Sequence, residues 1–261
     1  RRHTGPMNLL LDIGNTQTHA ALATDRAIRK QTRFDTADWK QRQLPDQLSN
    51  LITPKILNAT LCSVVPAAAK SAVKKLQRKL NVSVRQVNHE NCGVPIDYPK
   101  PSSIGADRLA NARAGIEEFG APLVVIDFGT AVTFDIINPN GQYTGGIIAP
   151  GLSAMTDYLH EKTALLPRIT LRDPDTAIGR STVQAMQIGA VHGYRGLIQG
   201  LIKEVKSSLN VRRLPVVATG GHARLLAKQV PEIGAVRSLL TLDGLRLASA
   251  GWNCDAQAHD E

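Results

Sequence analysis

The chain has 261 residues, 43% of them hydrophobic and 20% charged, which is typical of a soluble globular protein with one large domain or two ordinary ones. Lysine and arginine number 31 against 22 acidic residues, and the net charge of +9 favours anionic substrates or nucleic acid as partners. No apolar run is long enough to span a bilayer and no secretory signal is recognisable, so we expect a cytoplasmic protein with no membrane partner.

The cysteine and aromatic residues narrow the range of expected sites and partners. The three cysteines, Cys62, Cys92 and Cys254, lie far apart without a Cys-x-x-Cys pair or a nearby histidine, so neither a disulfide scaffold nor a zinc site is predicted. Only ten residues are aromatic, too few to interleave with the basic residues as nucleic-acid surfaces usually do. Nucleic acid is therefore not expected as a partner.

Strands and helices alternate through the first half. Residues 1–6 precede Met7 and are interpreted as an expression remnant or a lead outside the fold. The pattern predicts strands at 8–13, 17–23, 59–64 and 82–87, a helix near 38–53 and an amphipathic helix with a solvated basic face at 66–80, with a polar stretch after residue 23. This alternation indicates an α/β architecture.

The second half restarts after a loop rich in proline and glycine. A helix is predicted at 106–119, a strand and hairpin at 123–137, a third strand to 148, then a long helical region and a strand at 215–218. Four glycines in the helical region fall on one helix face, at positions 189, 193, 196 and 200. Their spacing indicates close helix packing, either within the subunit or across a dimer interface.

One motif occurs twice, once in each half. An apolar strand ends in Asp12-Ile-Gly-Asn-Thr16 and again in Asp127-Phe-Gly-Thr130, and both copies continue with the alternation of a partner strand. An acid, a glycine without Cβ and a hydroxyl at a hairpin tip suit a phosphate chain and its metal ion. A strand-ending turn without a ligand is the alternative for a single copy, but two copies favour function. The Walker and dinucleotide-binding glycine patterns are both missing from the sequence.

Gly105-Ala-Asp-Arg108 opens the predicted helix between the two motifs. In a first helical turn the side chains of Asp107 and Arg108 diverge by about a hundred degrees, so they can serve different groups of one ligand. The helix dipole keeps a carboxylate at this position ionised, and an arginine can bind a carboxylate or phosphate through two hydrogen bonds. The alternative is a helix-start aspartate beside a surface arginine.

With these residues in place, the chain resembles the type III pantothenate kinases of the acetate kinase, Hsp70 and actin superfamily, over essentially all of residues 7–252. The resemblance rests on seven features: Asp12 to Thr16, Tyr98 with Pro101, Gly105 to Arg108, Asp127 to Thr130, Gly145 to Gly151, Thr182, and Thr219-Gly-Gly221. One departure lies in the loop after the tyrosine, where Lys100 and Ser103 replace the asparagine and glutamate common in the family. The resemblance implies a duplicated, two-lobed actin-like (ribonuclease H-like) α/β fold, with lobes at 7–119 and 120–253 and an ATP cleft between them.

The resemblance also implies a reaction, the phosphorylation of pantothenate by ATP as the first step toward coenzyme A, with a homodimer as the usual assembly. Asp107 would be the catalytic base, Asp12 would orient Mg²⁺ through water, and Asp127 would hold K⁺ or NH₄⁺. The implied ATP-binding residues are Asp12, Ile13, Gly14, Asn15, Thr16, Gln17, Thr18, His19 and Thr130. The implied pantothenate-binding residues are Tyr98, Gly105, Ala106, Asp107, Arg108 and Thr182.

Two other interpretations remain open. A different kinase or phosphatase of the same superfamily would explain both aspartate motifs but would leave Tyr98 and Gly105 to Arg108 unexplained. A non-catalytic accessory factor in gene regulation would be compatible with the positive charge, although the chain keeps every acid that the chemistry needs.

Overall fold

The computed structural model describes residues 6–258, with side chains to Trp252, so most of the lead segment and the Cys254 side chain lie outside the described residues. Contacts divide the described chain into two compact units, residues 6–118 with 239–258, and residues 119–238. Across residues 6–258, no helix is both long and apolar enough to cross a membrane.

The first unit is built on a five-stranded sheet of order β3-β2-β1-β4-β5. Strands β1 to β3 form antiparallel hairpins, whereas β4 pairs parallel with β1, and β5 pairs parallel with β4. The strands are β1 (Met7–Ile13), β2 (Gln17–Thr24), β3 (Ala27–Asp35), β4 (Ile56–Ser63) and β5 (Ser83–Gln86). The helices are α1 (Asp46–Ser49), α2 (Pro66–Leu80), α3 (Ala106–Phe119) and, at the end of the chain, α7 (Leu240–Ala258).

The second unit repeats this topology. Its sheet has the order β8-β7-β6-β9-β10, again with an antiparallel three-stranded half and a parallel half. The strands are β6 (Leu123–Phe128), β7 (Ala131–Ile137), β8 (Tyr143–Pro150), β9 (Val216–Thr219) and β10 (Ala235–Val236). The helices are α4 (Leu152–Lys162), α5 (Thr182–Ser208) and α6 (Ala223–Ala227). The repeated aspartate motif therefore marks a repeated sheet.

Each unit has its own apolar core beneath its sheet. In the first, Leu9, Leu11 and Ile13 of β1 alternate onto the face that packs with Leu76 of α2. Leu10 points to the opposite face and is also fully buried, because α7 covers that side of β1. The second core joins alternate residues of β6 to the buried face of α5.

Two sequence predictions in the first unit were wrong. The helix expected at 38–53 is a 3₁₀ turn at Thr36–Lys40 followed by the four-residue α1, because Pro45 lacks the amide hydrogen that a helix interior requires. The polar stretch after residue 23 contains β3, an edge strand whose outward side chains are charged or amide-bearing. Edge strands need little apolar content, which hid β3 from the periodicity.

The end of the chain also differs from the expected lobe at 120–253. Helix α7 packs on β1 to β4 of the first unit, so that unit is assembled from both ends of the described chain. The long helical region of the second unit is two helices, α4 and α5, separated by irregular chain. Neither α6 nor β10 was predicted, because both are shorter than a periodic pattern can reveal.

Candidate active site

Asp12 lies near the end of β1, at the point where three strands meet. Its direct neighbours across the sheet are His19 on β2 and Cys62 on β4. Residues directly opposite one another project from the same face of a sheet. The first motif therefore places its carboxylate between an imidazole and a thiol.

The hairpin tip that follows Asp12 is closed by its own glycine. The amide of Gly14 donates to the carbonyl of Gln17 (3.0 Å), and a Cβ at position 14 would lie 3.0 Å from that same oxygen. Asn15, Thr16 and Gln17 are exposed at the tip. These three residues present the accessible groups of the predicted phosphate-binding segment.

Three other residues of that segment have different surroundings. Ile13 and Thr18 are fully buried, so any contribution of their side chains to a ligand is indirect. The pKa of His19 is lowered to about 4 by burial and by the charge of Arg33, and its Nε2 lies 2.6 Å from the Gln31 amide oxygen. His19 is thus a neutral imidazole at physiological pH.

Cys62 was not predicted as part of the site. Its Sγ donates to Asp12 Oδ1 (3.4 Å), and its pKa is raised well above the usual value by burial, with the charges of Asp12 and then Asp107 adding to the effect. The thiol therefore remains protonated and acts as a donor. Both carboxylates lie within electrostatic range of this one sulfur. A single cysteine without metal-ligand spacing gave no sequence signal.

Asp107 stands in the first turn of α3. Its Oδ1 accepts a hydrogen bond from the amide of Arg108 (2.9 Å), and burial raises the pKa of its carboxyl group despite that bond and the Arg108 charge. A Cβ at Gly105 would lie 2.5 Å from the same oxygen. Glycine at position 105 therefore leaves the space that the Asp107 carboxylate occupies.

Helix α7 contacts α3 directly. Gly244 packs so closely on Ala110 that any side chain there would overlap the Ala110 carbonyl. Beside this crossing, Thr241 Oγ1 donates to the buried Asn111 Oδ1 (2.8 Å). The C-terminal helix thus sets the position from which Asp107 and Arg108 project.

The second motif has the same strand environment in the second unit. Asp127 near the end of β6 pairs with Thr133 on β7 and with Thr219 on β9. Gly220 follows Thr219 with φ of +89°, and a Cβ there would lie 2.5 Å from Asp127 Oδ1. Only glycine combines that conformation with that approach.

Around the second hairpin tip, Gly129 and Thr130 are exposed, and Gly151 at the start of α4 donates its amide to the Thr130 carbonyl (3.1 Å). His222 is the N-cap residue of α6, and its Nε2 lies 3.5 Å from Ser153 Oγ. Burial lowers the pKa of His222, which leaves it neutral. Neither His222 nor Ser153 was predicted from the sequence.

The predicted pantothenate-binding residues fall in both units. Gly105, Ala106, Asp107 and Arg108 are contiguous at the start of α3, and Tyr98 is exposed on the loop that precedes it. Thr182 belongs to the second unit, where it is the exposed first residue of α5, next to the N-cap Ser181. All but one of these residues therefore belong to the first unit.

The donor sets fit the ions that the sequence resemblance implies. Mg²⁺ retains several waters and is often bound by one or two carboxylates and substrate phosphates, which suits the single half-buried Asp12. Among the side chains described, which end at Trp252, no three His, Cys, Asp or Glu cluster in a way that could hold a metal ion, so a site built wholly from such side chains is not expected among them. Asp127 offers one carboxylate, and the absence of a Cβ at Gly220 leaves the space that its Oδ1 occupies.

Comparison with known proteins assigns the family. The family model described as type III pantothenate kinase matches residues 8–204. The chain belongs to the type III pantothenate kinase family. The enzyme of that name from Akkermansia muciniphila is 44% identical over 250 residues, 94% of this chain and 98% of its own. The one from Methylacidiphilum infernorum is 43% identical over 240 residues, 92% of this chain and 86% of its own.

Solved structures share the fold at lower identity. A Baf family protein from Campylobacter jejuni, titled a transcriptional activator, matches with a TM-score of 0.59 and 22% identity over 92% of this chain and 96% of its own. The ethanolamine utilization protein EutJ from Carboxydothermus hydrogenoformans matches with a TM-score of 0.57 and 16% identity over 95% of this chain and 91% of its own. These likenesses concern the fold alone, which is the duplicated actin-like fold expected from the sequence.

Proposed function

We propose that this pantothenate kinase family member transfers the γ-phosphoryl group of ATP to the primary hydroxyl of pantothenate, giving 4′-phosphopantothenate for coenzyme A synthesis. The observation that carries the proposal is that Cys62 donates to Asp12 Oδ1 (3.4 Å) while the charges of Asp12 and Asp107 both act on its buried thiol. One carboxylate then serves the metal and the phosphates, and the other serves the acceptor hydroxyl. Phosphoryl transfer depends on such positioning and charge neutralisation more than on covalent chemistry.

Asp107 is the proposed general base. A carboxylate whose pKa is raised by burial accepts a proton more readily than a solvated one, which is the direction that catalysis near neutral pH requires. Its Oδ1 is held by the Arg108 amide, which fixes the orientation of the carboxylate. The hydroxyl proton passes to Asp107 as the oxygen attacks phosphorus.

Arg108 is the proposed partner of the pantothenate carboxylate. It is half-buried beside the base, and a guanidinium binds a carboxylate through two parallel hydrogen bonds. Tyr98, Gly105, Ala106 and Thr182 complete the proposed acceptor set. Lys100, exposed in the same loop, adds a positive charge where the family commonly has none.

The ATP phosphates are proposed to bind the exposed tip residues Asn15 and Thr16, together with Thr130 of the second unit. Mg²⁺, oriented by Asp12 through water, would neutralise charge on the transferring group when bound. K⁺ or NH₄⁺ would be held by Asp127. The residues that pair with Asp127 are Thr133 on β7 and Thr219 on β9, so neither paired neighbour supplies a second carboxylate.

A homodimer is proposed from the glycine face of α5. Gly189, Gly193, Gly196 and Gly200 are all exposed, and a Cβ at any of them would meet nothing within 4 Å. Packing inside the unit therefore does not explain them, which favours the dimer alternative. Leu197 on the same helix is exposed as well.

The dimer has a direct test because the monomer can accept side chains on this face. Gly196→Glu should convert a dimer to a monomer in light scattering after gel filtration, and circular dichroism should show that the monomer keeps its helix content. Gly251→Glu, at an exposed glycine of α7 with equally open space, is the matched control and should leave the mass unchanged. A Gly196→Glu protein that remains dimeric would remove this face from the interface.

The activity is tested by coupled ADP release with pantothenate in K⁺ and then in Na⁺. We expect turnover that requires pantothenate and Mg²⁺ and falls strongly in Na⁺. ADP release that ignores pantothenate but responds to a sugar or acetate would favour another kinase of the superfamily. Salt-dependent DNA binding without kinase activity would favour the regulatory alternative.

A further inference from the structure

Thr36 begins the 3₁₀ turn after β3 and reaches the first hairpin tip through its backbone and its side chain. Its amide donates to the Thr16 carbonyl (2.9 Å), and its hydroxyl donates to the Gly14 carbonyl (2.8 Å). Two residues of the tip, Gly14 and Thr16, are thus held by one residue that lies far from them in sequence, beyond the whole of β2 and β3.

The Thr36 hydroxyl is the last donor in a buried series of hydrogen bonds that runs from Trp39 through Thr18 and Thr36 to the Gly14 carbonyl. Trp39 Nε1 donates to Thr18 Oγ1 (3.0 Å), and Thr18 and Thr36 hydroxyl oxygens lie 3.1 Å apart. Because the Thr36 proton is directed to Gly14, the proton between the two threonines comes from Thr18. All three side chains are at most 5% exposed, so water does not compete for these bonds.

A chain of this kind is rigid for a physical reason. Hydrogen bonds in series polarise one another, and losing one buried member leaves its neighbours without a partner. Replacement of Thr36 by valine would leave the Thr18 proton and the Gly14 carbonyl unsatisfied while keeping the shape of the side chain. The effect would therefore concentrate at residues 14 to 18.

We propose that Thr36 is a positioning residue that holds the Gly14–Thr18 hairpin tip in the geometry that binds the ATP phosphates. The identity of the ligand in this inference rests on the proposed function. The two hydrogen bonds from Thr36 to the tip, called the clamp below, do not depend on it. Thr36 does not touch the nucleotide; it acts through the carbonyls of Gly14 and Thr16. No sequence pattern identified it, since it lies at the end of the polar stretch.

The test compares Thr36→Val, Thr36→Ser and Thr60→Val. Thr60 is the matched control, because it is also buried and its Oγ1 accepts a hydrogen bond from Asn8 Nδ2 (3.0 Å), but it lies on β4 away from the tip. We expect Thr36→Val to raise KM for ATP about fivefold, the scale of one or two lost hydrogen bonds, with little change for pantothenate. Thr36→Ser should restore KM, and Thr60→Val should lower Tm comparably while leaving KM unchanged.

Two further readouts separate the clamp from a merely structural role. Thr36→Val should weaken binding of a non-hydrolysable ATP analogue about fivefold in calorimetry while leaving adenosine affinity unchanged, because only the phosphates contact the tip. Hydrogen exchange at the amide of Gly14, which donates to the Gln17 carbonyl across the tip (3.0 Å), should become faster in Thr36→Val and not in Thr60→Val when it is measured without nucleotide. Equal losses for the analogue and adenosine, or equal KM changes for the two valine variants, would overturn the inference.

The exchange measurement keeps the two proposals apart. Unchanged exchange at the tip in Thr36→Val overturns the clamp even if the enzyme phosphorylates pantothenate. Faster exchange with unaltered nucleotide binding upholds the clamp but contradicts its role with ATP and the phosphate assignment of the hairpin. An inactive wild-type protein with faster exchange in the variant contradicts the proposed function alone.

Discussion

Replacing Asp107 by asparagine should abolish turnover and stabilise the fold. The amide preserves the size of the side chain, and its oxygen can still accept the 2.9 Å hydrogen bond from the Arg108 amide, but the group cannot take a proton. General-base catalysis contributes about a hundredfold or more, so kcat should fall at least by that factor, equivalent to about 2.7 kcal/mol in the activation barrier.

The stability change follows from the raised pKa of Asp107. Burial disfavours its ionised form, so the wild-type fold is penalised where the carboxyl is charged in the folded state. Below the unfolded pKa, near 3.8, both states are protonated and the penalty vanishes. The penalty develops as pH rises from there through the raised folded pKa. The asparagine variant has no ionisable group at this position and therefore no such penalty. The activity of the wild type should fall as the pH drops through the same folded pKa.

Three measurements on the two proteins test this reasoning. Steady-state assays with saturating Mg·ATP and pantothenate give kcat, thermal unfolding across pH gives the stability difference, and the wild-type pH profile gives the acid limb. Near wild-type kcat in Asp107→Asn would remove Asp107 from the mechanism. A large loss of activity accompanied by a lower Tm at neutral pH would mean that the substitution damaged the fold instead.

The other substitutions separate the remaining roles. Arg108→Ala should raise KM for pantothenate about thirtyfold, equivalent to about 2 kcal/mol for a lost charge-assisted contact, with little effect on KM for ATP; equal changes in both would contradict the assignment. Asp127→Asn should lose most of the activation by K⁺ at saturating Mg·ATP while Mg²⁺ dependence persists, and an unchanged K⁺ midpoint and fold-activation would exclude the cation role. Gly220→Ala should destabilise the protein by more than about 1 kcal/mol in urea titration and weaken K⁺ activation, because the new Cβ would overlap Asp127 Oδ1 and the φ of residue 220 is +89°. Gly221→Ala is the control, because a Cβ there meets open space, and it should have neither effect.

Local motifs carried most of what the sequence could predict. The two aspartate hairpins, the helix opening at Gly105 to Arg108 and the amphipathic α2 are each written in contiguous residues, and their elements form where the patterns place them. The family assignment drew on those same motifs. Periodicity and spacing are sufficient when a feature lies within one or two neighbouring elements.

The features that sequence reasoning missed depend on contacts between distant positions. Cys62 joins the site only through the parallel pairing of β4 with β1, and Thr36 only through the return of β3 to the hairpin tip. The placement of α7 on the first unit depends on the fit of Gly244 against Ala110, which no periodicity encodes. Polar edge strands such as β3 carry too few apolar residues to show the alternation that identifies a strand.

Direct detection of the product tests the central claim. Purified protein incubated with pantothenate, γ-labelled ATP, Mg²⁺ and K⁺ should transfer label to a product that co-elutes with 4′-phosphopantothenate, and Asp107→Asn under the same conditions should form at least about a hundredfold less. Label appearing only as inorganic phosphate, or product formed equally by the variant, would contradict the account.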